Sequence, residues 1–291
     1  MRIFRRLRRF ARKSPREMRL SLQAARGRFN LRLEDWGWKI PRLGNDRTGY
    51  VIGLFGSGRI YLNRLIMQNL GTRAKYFRDT IRIHPGPTSM IYSGHATIRH
   101  ASRFQVLPAV TSCILEAVRL RFADLIFIFR HPLDSLLTNW IWWRTFLRSG
   151  NQVLGISEIY NNPEDFCADL ERNFSEFRLF AEGSPDFFQR APGPRFLSLA
   201  EFVEETELHL QSASLALRFE DFRIDPAREF SKVIEVMSVE GDLSRFRHEF
   251  PASRLYRYRE ARDKVPQFRG FIEGLETEIK RRIEAFGYAL D

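Results

Sequence analysis

A strand, a glycine turn and a helix in immediate succession constrain this chain more than any other stretch of it. Residues 50–55 (YVIGLF) form an apolar, partly β-branched run of the length of a buried strand. Gly56-Ser57-Gly58 follows as a turn. Residues 59–70 (RIYLNRLIMQNL) then place Leu62, Leu65, Ile66 and Leu70 at helical spacing, with Gly71 as a C-cap. Such a unit leaves backbone N–H groups at the helix start, where the helix dipole is positive and an anion is held. Glycines let the backbone approach that anion closely. Arg59 adds a cation beside the turn. The same glycines also serve ordinary strand-to-helix turns.

Residues 125–129 (LIFIF) read as a second buried strand, and Arg130 follows it directly. Pro132 opens a helix that runs to about Arg148, with Asp134 near its positive end and Gly150 closing it. An arginine at a strand's end is costly to bury unless it meets an anion or a carboxylate; Asp134 and Asp221 are the acids that would make Arg130 structural instead. Shorter strands are expected over 74–78, 89–92 and 214–219, and a helix over 112–122. Asn162-Pro163 starts a helix with Phe166, Leu170, Phe174 and Phe177 as its inner stripe, and a turn-rich loop spans 183–195. Asp225-Pro226 opens another helix, with Phe230, Val233, Ile234 and Met237 on one face, and residues 272–288 close the chain as a helix. Strand–helix alternation predicts an α/β fold: a P-loop-like, mostly parallel central sheet flanked by helices, in a single domain over 29–291. Sites in such sheets lie at the carboxyl ends of the strands. Both strong strands end there, in Gly56-Ser57-Gly58-Arg59 and in Arg130.

The formal net charge of +12 over 291 residues is unevenly spread. Residues 1–28 hold eleven of the 47 Lys/Arg and one of the 35 acids, Glu17, leaving 36 bases against 34 acids in the rest. The body is therefore nearly neutral, which speaks against a nucleic-acid partner. In the basic leader, Ile3, Phe4, Leu7, Phe10 and Ala11 recur at helical spacing among arginines until Pro15. It reads as an amphipathic helix on an anionic membrane surface, as a solvated basic tail, or as an Arg-rich transit peptide. It has no apolar secretory core and is too polar to span a bilayer. The expected location is cytoplasmic, or peripheral at the inner membrane surface. Cys113 and Cys167 have no metal-ligand spacing and read as reduced, buried thiols. Most of the 26 Phe are expected in the core.

Residues 53–60 read G-x-x-x-x-G-R-I. In a nucleoside-triphosphate loop the last two positions are a lysine and a magnesium-holding Ser/Thr. Here they are Arg59 and Ile60, and isoleucine cannot coordinate a metal. A phosphoanion held without metal fits better than Mg-ATP.

On these residues the chain resembles the PAPS-dependent sulfotransferases, with bacterial carbohydrate and lipooligosaccharide-type members the nearest in kind. GLFGSGRIYLNRLI resembles their 5'-phosphosulfate loop, P-K-S-G-T-T-W. LIFIFRHPLDSLLTNW resembles their 3'-phosphate segment, a strand then R-D-P-R-D-x-x-x-S, with Arg130, Pro132 and Asp134 in register and Thr138 at the serine. RFEDFRIDPAREFSKVIEVM resembles the downstream Y-E-D-x-x-x-D-P stretch. The three segments stand in the family's order over about residues 50–240. The resemblance implies PAPS (3'-phosphoadenosine-5'-phosphosulfate) as co-substrate, no metal, and a donor site built from Gly56, Ser57, Gly58, Arg59 and Ile60 at the 5'-phosphosulfate and Arg130 and Thr138 at the 3'-phosphate. Tyr61 stands where the family stacks a tryptophan on adenine, and Phe219 stands at the tyrosine of Y-E-D. Plain core packing is the competing reading for both. MIYSGHA resembles the family's I-I-K-T-H-L, which makes His95 the base that takes the acceptor's proton. His84 and His100 are rivals, and Asp79 is a carboxylate alternative.

Three positions depart from the family pattern. Gly56 replaces the loop lysine, for which Arg59 is the expected substitute. The C-terminal R-K-G-x-x-G is missing, with Arg254, Arg257 and Arg259 as replacements or as part of a solvated basic stretch. Ser93 replaces the lysine of K-T-H. The implied activity is sulfuryl transfer to a hydroxyl or amine of a small molecule or saccharide, with an acceptor pocket drawn from the aromatics of 150–195. A P-loop kinase and a catalytically inactive, binding-only relative are the alternatives.

Overall fold

The computed structural model describes residues 47–69, 74–77, 80–83, 88–94, 123–148, 160, 162–185, 187, 196–237, 243–248 and 258–290. The basic leader, the helix expected over 112–122, Cys113 and the histidines at 84, 95 and 100 lie outside them.

Strand β1 (Arg47–Gly53) sits inside a six-stranded sheet of order β2-β3-β4-β1-β5-β6. β4 (Thr88–Gly94), β1, β5 (Ala123–Phe129) and β6 (Leu215–Arg218) run parallel, whereas the short pair β2 (Ala74–Phe77) and β3 (Thr80–Ile83) adds an antiparallel edge. The sheet is thus mostly parallel, as the alternation predicted. β3 went unanticipated, since four residues of alternation carry little signal. β1 starts earlier than its apolar run and stops at Gly53. Leu54 already belongs to the turn, where its carbonyl accepts from the Ser57 N–H at 3.1 Å.

The continuous apolar run of β5 reflects burial on both faces. Leu125, Phe127 and Phe129 enter one core, with Ile52 from β1; Ile126 and Ile128 enter the other, with Val51. The second core is closed by α1 (Arg59–Asn69), through Leu62, Leu65 and Ile66, and by α7 (Pro226–Met237), through Phe230, Val233 and Met237. The short α6 (Asp221–Ile224) adds Phe222. The first core is larger and richly aromatic. It takes Trp140 and Trp143 from α2 (Pro132–Arg148), Phe166 from α3 (Pro163–Arg172), Phe177 and Phe180 from α4 (Phe174–Glu182), and Phe202 from α5 (Leu199–Ser212). α8 (Tyr258–Lys264), α9 (Pro266–Glu273) and α10 (Thr277–Ala285) complete it.

Several boundaries differ from expectation for identifiable reasons. The single helix expected from Asn162 onward is two, because Asn173 leaves helical geometry (φ −112°, ψ 24°) and its side chain donates to the Asp169 carbonyl at 2.7 Å. The closing helix expected over 272–288 is α10, shorter at both ends, since α9 runs to Glu273 and ends at Gly274. Helix α5 carries a capping box: Ser198 accepts from the Glu201 N–H, and Glu201 accepts from the Ser198 N–H. Cys167 is buried and unpaired, and burial pushes its thiol up.

Asp169 joins α2, α3 and the segment before α3. Its carboxylate accepts from Tyr160 Oη at 2.5 Å, from Asn173 at 3.1 Å and from Arg144 at 3.4 Å. Removing one member of a buried charged network strands the others. Asp169→Ala is therefore expected to cost about 3 kcal/mol in chemical denaturation; a loss under about 0.5 kcal/mol, the size of an ordinary surface change, would mean the partners reach solvent instead.

Candidate functional site

Sheet order puts the site where the sequence rule asks for it. The chain leaves β1 toward β4 on one side and later enters β5 on the other, so the carboxyl end of β1 is a switch point between the two. Ile52 stands opposite Gly94 of β4 and Phe127 of β5, and Gly53 stands opposite Ile128. The 54–58 turn and Arg130 therefore emerge from adjacent strand ends, roughly 5 Å apart in the sheet direction.

The turn is shaped by its glycines. Gly56 and Gly58 have φ of 85° and 95°, in the left-handed region where a side chain is strained. A Cβ on Gly58 would stand 2.2 Å from Phe219, and one on Gly53 would stand 2.3 Å from Ser57 Oγ. The Ser57 side chain is thus folded back over Gly53 and buried. Gly58 begins α1: its carbonyl accepts from the Leu62 N–H at 3.2 Å. The first-turn N–H groups of a helix have no intrahelical acceptor, so this end of α1 offers donors to an anion. Arg59 is buried beside them, while Ile60 is 55% exposed at the position where a metal-binding loop keeps its hydroxyl.

Arg130 is also buried, and its guanidinium is well occupied. It donates to Thr138 Oγ1 at 3.2 Å, pairs with the Asp134 carboxylate at 3.4 Å and lies 5.4 Å from the centroid of the Phe219 ring. The Thr138 hydroxyl itself donates to the Asp134 carbonyl at 2.8 Å. Arg130 and Thr138 are thus brought together as the resemblance implied, and the ion pair with Asp134 is the structural partner the sequence had offered for Arg130. Asp134 reaches further: its other oxygen accepts from the Tyr258 N–H at the start of α8, at 2.7 Å. Arg254 and Arg257 lie outside the described residues. Arg259 is in α8 and its guanidinium donates to Tyr258 Oη at 3.3 Å.

Tyr61 and Phe219 meet edge-on, with centroids 5.5 Å apart. They are 6% and 4% exposed, within the core cluster behind the turn. Phe222 and His248 also stand edge-on to Tyr61, at 5.8 and 6.0 Å, and burial pushes the Tyr61 phenol far up. Phe246 and His248 went unread in the sequence; a clamp of Asn69 on both backbone groups of Arg247 holds that segment against α1. Glu220, second residue of the F-E-D triplet, also has an anchoring place. Its carboxylate accepts from the His131 N–H at 3.0 Å and from Tyr288 Oη at 2.8 Å.

The described aromatics of 150–195, such as Phe166, Phe177, Phe180 and Phe187, are buried in the core. A cleft of about 360 Å³ lies between α4, α9 and α10, floored by Phe174, Phe271, Leu275 and Ile279, and it shares no lining residue with the turn. Two further residues belong to the turn's surroundings and went unread: Ser135 and Asn139 of α2, against which Gly56 packs.

No protein-family model and no curated protein sequence matches this chain. Among solved structures it is similar to mouse sulfotransferase SULT7A1 complexed with PAP, at 11% identity over 84% of this chain and 83% of that one, with a TM-score of 0.41. It is similar also to a sulfotransferase from Alicyclobacillus acidocaldarius, at 14% identity over 85% and 96% of the two chains, with a TM-score of 0.39. Likenesses this distant lend no weight to a function, which has to come from the site's own residues.

His131, next to Arg130, is buried with its ring stacked on Tyr258 at 4.0 Å. Burial pushes its imidazole down to about 4, against the pull of the Ala289 carbonyl and the Glu220 carboxylate. The folded state keeps it neutral, whereas the unfolded chain takes the proton near the ordinary value of about 6.5. Its contribution is therefore complete above that value and is lost as pH falls toward 4, by about 3 kcal/mol in full. In denaturant titrations, His131→Asn is expected to flatten the fall in stability across this window. An unchanged fall would assign it to another buried group, such as His209, which burial also pushes down.

Proposed function

We propose that this chain transfers a sulfuryl group from PAPS to a hydroxyl or amine of an acceptor. The observation that carries the reading is a pair of anion-binding arrangements at neighbouring strand ends: the positive-φ glycine turn with Arg59, and Arg130 with Thr138. A nucleotide bearing phosphates on two separate ribose positions needs two such places, whereas a triphosphate chain needs one extended cradle with a metal ligand. Ile60 supplies no such ligand. In this reading Gly56, Ser57, Gly58, Arg59 and Ile60 receive the 5'-phosphosulfate through backbone N–H groups and the Arg59 cation. Arg130 and Thr138 receive the 3'-phosphate. Tyr61 and Phe219 form the wall beside which the adenine lies.

The transfer is in line and needs no metal. His95 takes the acceptor's proton as the acceptor atom attacks sulfur. The bond from sulfur to the bridging oxygen breaks, and the electron pair leaves on the 5'-phosphate. Arg59 and the first-turn amides of α1 face that developing charge; a preorganised donor in such a place is typically worth about 3–4 kcal/mol. The support for His95 is its chain neighbour: Gly94 ends β4 opposite Ile52, four residues before Gly56, the turn's first glycine. One observation favours a binding-only relative instead, namely that Gly56 stands where the resembled family keeps its lysine.

Calorimetric titration with 3'-phosphoadenosine 5'-phosphate, beside Mg-ATP, separates these readings. The bisphosphate is expected to bind and Mg-ATP to bind far more weakly. Arg59→Ala and Arg130→Ala should each weaken the bisphosphate by at least about tenfold, as for a lost charge-assisted hydrogen bond. His95→Ala should leave that binding intact and lower turnover. A preference for Mg-ATP would return a kinase to first place, and full turnover in His95→Ala would remove it as the base.

The acceptor in this reading is a carbohydrate or glycolipid, presented at an anionic membrane surface that the leader's arginines contact. Among the described residues no helix is long and apolar enough to cross a membrane. Deleting residues 1–28 is expected to abolish binding to phosphatidylserine vesicles at low salt and to spare nucleotide binding. Retained vesicle binding would place the contact elsewhere.

A further inference from the structure

We propose that Ser135 and Asn139 of α2, with Ser57, form the receiving pocket for the terminal sulfuryl group and make the turn select a phosphosulfate over a plain phosphate. The inference rests on the donor reading above and goes to residues which the sequence motifs did not single out.

The first observation is steric. A Cβ on Gly56 would stand 3.1 Å from Asn139 Oδ1 and 3.1 Å from the Ser135 carbonyl oxygen, at a φ of 85°. A side chain at position 56 would be both crowded and strained, and the glycine there supplies no group of its own. The polar side chain that does reach this point comes from the facing helix. Ser135 and Asn139 are one turn apart and share the face of α2 that meets Gly56.

The second observation is a concentration of unsatisfied atoms. Ser57 Oγ, Ser135 Oγ and Asn139 Oδ1 are buried without a hydrogen-bond partner among the described residues, and the three side chains' residues are 1%, 0% and 1% exposed. Buried polar atoms are bonded as a rule, and three orphans around one glycine turn mark a place built for a polar guest. Phe55 and Gly56, beside them in the turn, are half-buried. Ser57 Oγ lies over Gly53, so its part in the pocket requires a rotation about χ1 toward Asn139.

The chemistry of the three groups selects the guest. Two hydroxyls donate, and a half-turn of the Asn139 carboxamide presents N–H in place of oxygen at no change of shape. All are neutral donors. A sulfuryl group carries a single negative charge spread over three oxygens, which neutral donors satisfy. A terminal phosphate near neutral pH carries close to two charges and draws more from cations and helix ends. The pocket therefore reads the sulfur end of the donor, while Arg59 and the amides hold its phosphate.

The test compares the calorimetric affinities of PAPS and of 3'-phosphoadenosine 5'-phosphate in the unmodified protein, in Ser135→Ala and in Asn139→Leu, which keeps volume and removes polarity. The unmodified protein is expected to prefer PAPS. In each variant the PAPS-to-bisphosphate affinity ratio should fall by about tenfold, the scale of one lost hydrogen bond to a charged group, with bisphosphate affinity held within about twofold. Asn139→Ser replaces Asn139→Leu if the latter fails to fold. A ratio unchanged in the folded variants overturns the proposal and assigns the three oxygens to a trapped water. Binding of neither nucleotide by the unmodified protein would instead overturn the donor reading on which it stands.

Discussion

The ring of Phe219 lying against the backbone of Gly58 is the contact on which the rest of the arrangement depends. A single carbon added to Gly58 would stand 2.2 Å from that ring. The same ring meets Tyr61 edge-on and lies under the Arg130 guanidinium. One side chain from the end of β6 therefore fixes the turn after β1, the first turn of α1 and the arginine after β5 relative to one another. The Phe219 N–H donates to the Phe129 carbonyl at 2.8 Å, which ties this wedge to the sheet. The two arrangements proposed to bind anions come from separate parts of the chain and thus share one rigid support, and their spacing is set by strand pairing.

Arg130 is a buried cation whose place is fixed by its partners. Alone it would be very costly to bury. Asp134, Thr138 and the Phe219 ring share that cost, and Asp134 passes the connection on to α8 through the Tyr258 N–H. A phosphate arriving here would enter an existing network and would not have to order a loose side chain, which is the advantage of preorganisation. The same network explains why α8, in a stretch that reads as solvated and basic, is anchored by a buried Tyr258.

Elements whose ends are written in local chemistry were legible. Pro132 and Asp134 mark the start of α2, Asn162-Pro163 the start of α3, and Asp225-Pro226 the start of α7, each with a side chain or ring suited to that helix end. The LIFIF run had to be a strand buried on both faces. The capping box of α5, Ser198 with Glu201, was equally local and was passed over beside the turn-rich loop. The break at Asn173 was not legible, since it depends on hydrogen bonds to Asp169 that exist in the folded chain. The site divides in the same way. The resemblance to the 3'-phosphate segment was enough to pair Arg130 with Thr138, eight residues apart along the start of a helix. The parts played by Ser135, Asn139, Glu220 and His248 arise where separate elements meet, and no periodicity announces them. The burial of Tyr61 and Phe219 likewise follows from packing between α1 and β6, which the residues' aromatic character alone left open.

The most direct measurement is a crystal structure with 3'-phosphoadenosine 5'-phosphate. The account predicts the 5'-phosphate within hydrogen-bond distance of the Gly58–Ile60 amides and of Arg59, with the 3'-phosphate against Arg130 and Thr138. A bisphosphate bound elsewhere, or a site that leaves the turn and Arg130 untouched at saturating ligand, would contradict it.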